Sequence, residues 1–346
     1  MRYTFLAVAS ALFLSVGRAD ESRQRLEGVD SISQNAIQSA FRVLRKDYIR
    51  PDELTLDQLN RATLQGMLER LDFGASLVKE LSTDAAKAKP RVKSEMLTAR
   101  IAYLKPMTVV QEEVAEMEAA LNDFQTKGAS HVILDLRGAA APSELEATSS
   151  MAELFLPRGE LLFKLRRLGG SDARLYLATR EPVWKGSLVV LIDSDSTNVA
   201  ETLAAVLKQK KRGVLVGTRT RGATVRYEEL PLDSGWRLRF ASAEVLLADD
   251  ESVFKKGVEP HFNVSHSADE KHATLLAVDS QLVKTLVFER ARLRFNEKAL
   301  VTGTNPELDD YVARSTGRQM YYDLPPVRDS VLQRAVDLVS NLDLAK

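Results

Sequence analysis

The 346-residue chain contains no cysteine. This absence excludes a disulfide framework, a thiolate nucleophile, a zinc site with cysteine ligands and an iron–sulfur cluster. Neither sign of charge is in excess, because 48 Lys and Arg residues balance 48 Asp and Glu residues. A balanced chain gives no electrostatic reason to expect nucleic acid or an anionic membrane surface as a partner. Any chemistry must therefore use oxygen or nitrogen groups.

The sequence also lacks the glycine-rich loops that bind nucleotide phosphates, of both the Walker and the dinucleotide type. It has four histidines, and they do not show the His-Glu-x-x-His spacing of a zinc protease or accompany a Gly-x-Ser-x-Gly elbow. The four are His131, His261, His266 and His272. We therefore expect no cofactor and no metal.

The first 19 residues have the features of a cleaved secretory signal. Arg2 precedes an apolar run from Phe5 to Val16, and Gly17 and Ala19 are small residues at the spacing that a signal peptidase reads. The run has about 12 residues, whereas a membrane-spanning helix needs about 20. The sequence thus predicts an exported protein, periplasmic or extracellular, without a stable membrane anchor.

Apolar periodicity divides the remainder of the chain into segments. Residues 20–82 carry helical stripes and predict an N-terminal helical region that forms a hairpin. Residues 83–95 have the composition of a linker, being rich in Ala, Lys and Ser. Strand and helix patterns alternate from 96 to 267, which predicts an α/β domain. Residues 268–346 are predicted to be helical, with Asp329 capping the last helix.

The α/β domain is predicted to contain both buried strands and amphipathic helices. The run 131–137 is apolar enough to be a strand buried on both faces. The predicted strands are 100–104, 131–137, 160–165, 188–192 and 214–217, with a hairpin of 225–232 and 236–240, and the predicted helices are 110–124, 143–155 and 198–208.

Seven short segments carry a resemblance to a known family. They are GMLERLD at 66–72, IAYL at 101–104, VILDLR at 132–137, LVVLI at 188–192, ETLAA at 201–205, VLVGT at 214–218 and GVEP at 257–260. In this order they resemble the C-terminal processing, or tail-specific, serine peptidases. The resemblance covers 32–264 and implies a crotonase-like α/β peptidase domain. It also implies a PDZ domain, for which residues 77–98 are too few.

The catalytic positions that the resemblance implies hold inert residues. The family has a serine immediately before a helix-initiating glutamate, and with Glu201 as that glutamate the position holds Ala200. The family's lysine base corresponds to Ala223, and its oxyanion turn to Ala141 and Pro142. A methyl group cannot attack a carbonyl, and proline has no N–H to donate. Loss of the nucleophile costs about 10⁶ in turnover in a serine protease, so the chain is expected to be an inactive pseudopeptidase.

The alternative is an active serine-type peptidase that acts on exported proteins through a displaced nucleophile. Ser194, Ser196 and Thr197 are the candidates, although each is expected to be a loop or capping group. Asn198 and Glu201 have the spacing of a capping box at the helix start.

Arg219 and Arg221 lie in the turn that should face the former active site. They are candidates for binding a carboxylate such as a peptide C-terminus, and the alternative is that both are solvated loop residues. The expected partner is a polypeptide or protein, including a second copy of this chain, and not a nucleic acid. A third hypothesis is a structural protein of the envelope, in which Ala268–Asp323 carries the interaction and can be deleted without loss of the fold.

Overall fold

The structure is a computed structural model. It describes residues 31–50, 54–79, 92–139, 144–167, 173–280, 282–288 and 327–344, and six single positions between 305 and 316. The predicted signal segment, the first part of the predicted linker and most of 289–326 lie outside the described residues. The chain divides into two compact units, residues 1–72 and residues 73–346.

The N-terminal unit contains the two helices that the apolar stripes predicted, α1 (Gln34–Asp47) and α2 (Leu56–Leu71). Both begin at a capping residue. The Ser33 hydroxyl accepts a hydrogen bond from an N–H of the first turn of α1, and Thr55 forms a reciprocal capping box with Gln58 in α2. Neither helix has a buried residue, so within this unit their stability rests on local interactions.

The second unit alternates strands and helices, as the sequence predicted. In chain order it contains β1 (Ala75–Lys79), β2 (Val92–Met96), β3 (Ile101–Pro106), α3 (Gln111–Thr126), β4 (His131–Asp135), α4 (Leu145–Ala152), β5 (Leu161–Arg167), β6 (Arg174–Leu177), β7 (Ser187–Ile192), α5 (Val199–Gln209), β8 (Val214–Gly217), β9 (Val225–Pro231), β10 (Trp236–Leu247), β11 (Phe262–Asn263), α6 (Ala268–Ser280) and α7 (Ser330–Leu344). The α/β class is therefore confirmed.

Two strands correct the predicted boundaries. Ala75–Lys79, predicted to be part of the helical region, forms β1, and the end of the predicted linker forms β2. The register of β1 against β10 pairs Ala75 with Phe240. The partner of β1 is thus remote in sequence, and the local pattern has no regular alternation of buried and exposed positions. Tertiary pairing overrides local pattern in such a strand.

The central sheet has the order β11-β8-β7-β4-β3-β2 and is parallel except for β2. Its inner strands β3, β4 and β7 are buried on both faces, and their successive side chains point to opposite sides. In β4, Val132 and Leu134 pack in one core while Ile133 packs in the other. The first core contains the helices α3, α4 and α5 and part of the second sheet. The predicted double-sided burial of the 131–137 strand is confirmed for residues 131–135.

The second face of this sheet is covered by the C-terminal segment. Val278 of α6 and Leu332 of α7 are fully buried against it, as is Val283 in the short 3₁₀ segment Val283–Leu286. The prediction that Ala268–Asp323 can be deleted without loss of the fold is therefore wrong, since the deletion would expose apolar surface of the central sheet. The predicted cap of the last helix is confirmed, because Asp329 accepts from the Leu332 N–H at 2.9 Å.

A second, antiparallel sheet has the order β1-β10-β5-β6, and β9 also pairs with β10. The 12-residue strand β10 joins all its parts. Its register places Ser76 opposite Arg239 and Tyr227 opposite Ala241. Because residues 239 and 241 lie on the same face of β10, Ser76, Arg239 and Tyr227 share one face of this sheet.

Candidate functional site

A pocket of about 360 Å³ lies between the start of α5, the loop after β8 and this face of the antiparallel sheet. It is lined by residues from five chain segments, which are Phe73, Ser76, Thr197, Asn198, Arg221, Ala223, Tyr227 and Arg239. The volume is within the range of roughly 300–1,000 Å³ of small-ligand sites. The pocket brings together the Ala223 and Arg221 singled out from the sequence.

Asn198 forms the sharp junction between β7 and α5. Its φ of 50° is positive, and its side chain makes no capping hydrogen bond to the helix. A strained strand-to-helix turn of this kind presents its residue at the top of a sheet, which is where α/β hydrolases carry their nucleophile. Here the residue is an amide, which supplies no hydroxyl or thiol.

Ala200 and Asn198 have different surroundings. Ala200 is fully buried and belongs to the apolar core, whereas Asn198, the residue before the first helical residue, lines the pocket. Which of the two corresponds to the family's serine stays a prediction.

Glu201 holds the loop that carries Ala223. Its buried carboxylate accepts hydrogen bonds from the Thr220 hydroxyl, from the Gly222 N–H at 2.6 Å and from the Ala223 N–H at 2.7 Å. Burial raises the pKa of the Glu201 carboxyl, and these donors oppose the rise. The predicted capping box is therefore wrong in the half that the Asn198 side chain should make, and Glu201 fixes the loop opposite the helix start.

The three candidate hydroxyls have different surroundings. Ser196 is fully buried, and its Oγ donates to the Leu136 carbonyl at 2.9 Å and accepts from the Asp193 N–H at 3.0 Å. Ser194 is exposed and lines a different pocket, of about 100 Å³. Only Thr197 lines the pocket that contains Ala223.

The described residues that line the pocket do not supply Thr197 with a general base. None of them is His, Lys, Asp or Glu. Tyr227, the phenol among them, donates its hydroxyl hydrogen to the Phe73 carbonyl at 2.8 Å. A threonine hydroxyl is a weak nucleophile without an adjacent base, so these residues do not activate it.

The two candidate arginines diverge. The Arg219 guanidinium donates to the Lys256 carbonyl and lies 3.3 Å from the Glu259 carboxylate, outside the pocket lining. Arg221 lines the pocket, and its guanidinium carbon lies 5.7 Å from the centroid of the Phe73 ring. The geometry thus retains Arg221 as a pocket residue and assigns Arg219 to the packing of the neighbouring loop.

Arg239 is the pocket residue that sequence reasoning missed. It is a strand residue more than a dozen positions beyond the candidate turn, and its guanidinium lies over the Tyr227 ring at 4.3 Å. The alternation of arginines in β10 indicated a shared face, but only the pairing with β1 and β9 brings that face to the start of α5. Ala141 and Pro142 lie outside the described residues.

A second cluster of charges is closed and balanced. Asp135 accepts from the Arg137 side chain at 2.7 Å and from the Tyr103 hydroxyl at 2.7 Å, and Arg137 also pairs with Asp329 at 2.7 Å. Lys105 lies 3.8 Å from Asp135. Burial alone would raise the pKa of Asp135, but the charges of Arg137 and Lys105 hold it below its ordinary value.

No group of acidic or histidine side chains with metal-binding geometry occurs in the part of the chain that the structure describes. Of the described helices, none is long and apolar enough to cross a membrane.

Comparison with known proteins assigns the α/β region. The model of peptidase family S41 matches residues 100–264. This region is therefore similar to peptidase family S41. The chain is 28% identical over 169 residues to the carboxy-terminal processing protease CtpA of Bacillus subtilis, covering 49% of this chain and 36% of that protein. It is also 28% identical over 163 residues to a carboxyl-terminal-processing protease of Picosynechococcus, covering 46% and 38%. The chain thus spans well under half the length of these relatives.

One solved structure supports the same fold, and a second has a lower similarity. A peptidase-like protein from Parabacteroides merdae is 15% identical, with a TM-score of 0.53 over 73% of this chain and 92% of that chain. The photosystem II D1 C-terminal processing protease is 22% identical, with a TM-score of 0.42 over 56% and 48%. The tail-specific peptidase fold predicted from the resemblance is confirmed.

Proposed function

We propose that this protein is a tail-specific peptidase homologue that binds a polypeptide without hydrolysing it. The observation that carries the proposal is the lining of the pocket at the start of α5. Asn198 stands at the strained strand-to-helix turn and Ala223 on the loop opposite, where hydrolysis would need a nucleophile and a base. The concave site is retained while its lining offers no acid–base pair.

The scaffold around the pocket supports a retained binding role. Glu201 still fixes the loop through three hydrogen bonds, although its burial carries a desolvation cost. The terminal strand β1 borders the same pocket through Ser76 and pairs only with β10 among the described strands. An extended polypeptide can add to such an edge through its backbone alone. Export through a cleaved signal segment is part of the same proposal.

The competing function is an active serine-type peptidase, and Thr197 is the residue that favours it, because its hydroxyl lines the pocket. The two are separated by incubating the purified chain with unfolded proteins and C-terminally varied peptides and analysing the products by mass spectrometry. We expect intact substrates.

Thr197→Val is the matched control, since it removes the hydroxyl and keeps the side-chain volume. Cleavage that is lost in Thr197→Val would contradict the proposal. If cleavage persists in Thr197→Val and its specific activity varies between preparations, the activity comes from a contaminating protease.

A further inference from the structure

Among the described residues that line the pocket, two carry a guanidinium group and none carries a carboxylate. The two are Arg221 and Arg239. Within the described part of the chain, neither arginine forms a salt bridge, and each lies instead over an aromatic ring, of Phe73 and of Tyr227 respectively. Neither guanidinium group thus has a carboxylate partner within 4.0 Å among the residues that the structure describes.

This pattern differs from that of two arginines on β5, in the same sheet as Arg239. Arg166 pairs with Glu244 at 3.3 Å, and Arg167 pairs with Glu228 at 2.8 Å. These two arginines also line a pocket, of about 270 Å³, and Glu244 lines it with them. The arginines of the pocket at the start of α5 have no such partner among the described residues that line it.

The aromatic rings leave the hydrogen-bonding edges of both guanidinium groups available. A guanidinium stacked on a ring face makes a cation–π contact and keeps its N–H donors in its own plane. Such a planar fork binds a carboxylate through two parallel hydrogen bonds. The stacking also limits the side-chain rotamers, so less conformational entropy is lost when a ligand binds.

The start of α5 contributes little to this potential. The helix begins at Val199, directly after the pocket residues Thr197 and Asn198, and a helix N-terminus carries a partial positive charge. Glu201 lies in the first turn of the same helix, and its carboxylate offsets that charge. The two guanidinium groups are therefore the cations that the described lining offers to a ligand.

The apolar surface of the pocket and the neighbouring strand favour some anions over others. The rings of Phe73 and Tyr227 and the methyl group of Ala223 give the pocket apolar surface next to its charges. Ser76 belongs to β1, a terminal strand of its sheet, so a bound chain can pair with backbone beside the pocket. An extended chain that ends in a negative charge has this combination of properties.

We propose that the pocket binds the C-terminal carboxylate of a polypeptide, with Arg221 and Arg239 as its two ligands. The inference rests on the proposed function, because it takes the same pocket as the polypeptide-binding site. It adds the part of the polypeptide that is recognised and the residues that recognise it.

The direct test is a pair of fluorescein-labelled peptides that differ only in a free carboxylate or an amide at the C-terminus. Pairs ending in Ala, Leu and Phe are titrated with the purified full chain, and binding is measured by fluorescence anisotropy. We expect the free acid of at least one pair to bind about ten- to a hundredfold more tightly than its amide, the range for charge-assisted hydrogen bonds. Equal affinity within every pair, or no binding of any peptide, overturns the proposal.

Three variants identify the ligands. Arg221→Gln and Arg239→Gln should each weaken binding of the acid about tenfold or more and leave binding of the amide unchanged. Arg219→Gln is the matched control, because it removes an arginine two residues from Arg221 whose guanidinium is engaged by the neighbouring loop. A loss in Arg219→Gln equal to that in Arg221→Gln would show a general charge effect and overturn the assignment.

Two further experiments complete the test. The first distinguishes a peptide carboxylate from a small free anion as the ligand, and the second distinguishes this inference from the proposed function. Acetate and inorganic phosphate are used as competitors, and displacement of the acid peptide at comparable concentrations would reduce the pocket to a small-anion site. Mass spectrometry on the same samples reports hydrolysis. If the peptides are cleaved and the free acid still binds in an arginine-dependent manner, the proposed function is wrong and the carboxylate site is retained. If the peptides stay intact and the acid binds no better than the amide, the carboxylate site is wrong and the proposed function is retained.

Discussion

Two clusters of this molecule contain arginine, and they differ in how the charge is met. Arg137 is buried between Asp135 and Asp329, so that each of its hydrogen-bonded faces meets a carboxylate of the same chain. Arg221 and Arg239 meet aromatic rings, and no acidic residue is among the described residues that line their pocket. A charge that is neutralised internally holds the fold together, whereas a charge that the described chain leaves unneutralised in a concavity is available to a ligand. Arginine thus has two roles in this chain, a structural one at Arg137 and a proposed ligand-binding one at Arg221 and Arg239.

The closed cluster also explains how the C-terminal segment belongs to the domain. Asp329 caps α7 and at the same time pairs with Arg137 at the end of the β4 region. The S41 match ends at residue 264, yet the residues that cover the second face of the central sheet come after it. The described fold therefore depends on residues beyond the segment that matches the family model.

The largest expected effect is that of Arg137→Met, which leaves two buried carboxylates without their cation. Breaking a buried ion pair on one side costs about 3–5 kcal/mol. Urea unfolding should show this loss, while Arg221→Gln in the open cluster should change stability by no more than about 0.5 kcal/mol. Similar losses in the two variants would remove the distinction between the clusters.

Acid should weaken the closed cluster next. The pKa of Asp135 is held below its ordinary value by Arg137 and Lys105 despite burial, so the native state binds this proton less tightly than the unfolded chain. The stabilisation is complete above the ordinary aspartate pKa of about 3.9 and is lost as the pH falls toward the lowered value. Urea midpoints measured between pH 6 and pH 3 should fall only below about pH 4. A midpoint that rises over that interval would contradict the assignment.

Glu201→Gln is expected to cost about 1–3 kcal/mol, because the amide nitrogen would face an N–H or O–H donor and leave it unsatisfied. The same variant should weaken peptide binding, since Arg221 and Ala223 lie on the loop that Glu201 holds. Thermal unfolding and the anisotropy titration measure the two effects. Loss of stability with unchanged peptide affinity would show that the loop does not shape the pocket.

Arg219→Gln should have the smallest effect, within about 0.5 kcal/mol, because its ion pair with Glu259 is half exposed and screened by solvent. Unfolding and peptide titration of this variant give the baseline for the others. A large effect on either would transfer Arg219 from the neighbouring loop to the site.

The elements of the α/β domain could be predicted because their patterns are local. The apolar run at β4 and the stripe of α3 follow from strand and helix periodicity. The strand β1 could not be predicted, since its partner Trp236–Phe240 lies more than 150 residues away. The same limit applies to Arg239, which reaches the pocket only through sheet pairing.

At the catalytic positions, the sequence located the turn but could not show which side chains face the pocket. Motif order located the turn that contains Asn198 and Ala200, but only the helix start at Val199 decides which of the two side chains faces the pocket. Sequence spacing also predicted that Asn198 and Glu201 would cap the helix together. The Asn198 side chain makes no capping hydrogen bond. The Glu201 carboxylate keeps a hydrogen bond with the Asn198 backbone and also accepts from the Gly222 and Ala223 N–H groups, a contact that the local spacing does not reveal.

The measurement that tests the central claim most directly is mass spectrometry of a bound peptide. A free-acid peptide that saturates the wild-type chain in the anisotropy titration is incubated with it for a day at the same concentrations. The account expects the peptide to be recovered intact and still bound in an Arg221-dependent manner. A peptide cut by the wild-type chain and left intact by Thr197→Val would show that the pocket retains a working nucleophile, and would contradict the account.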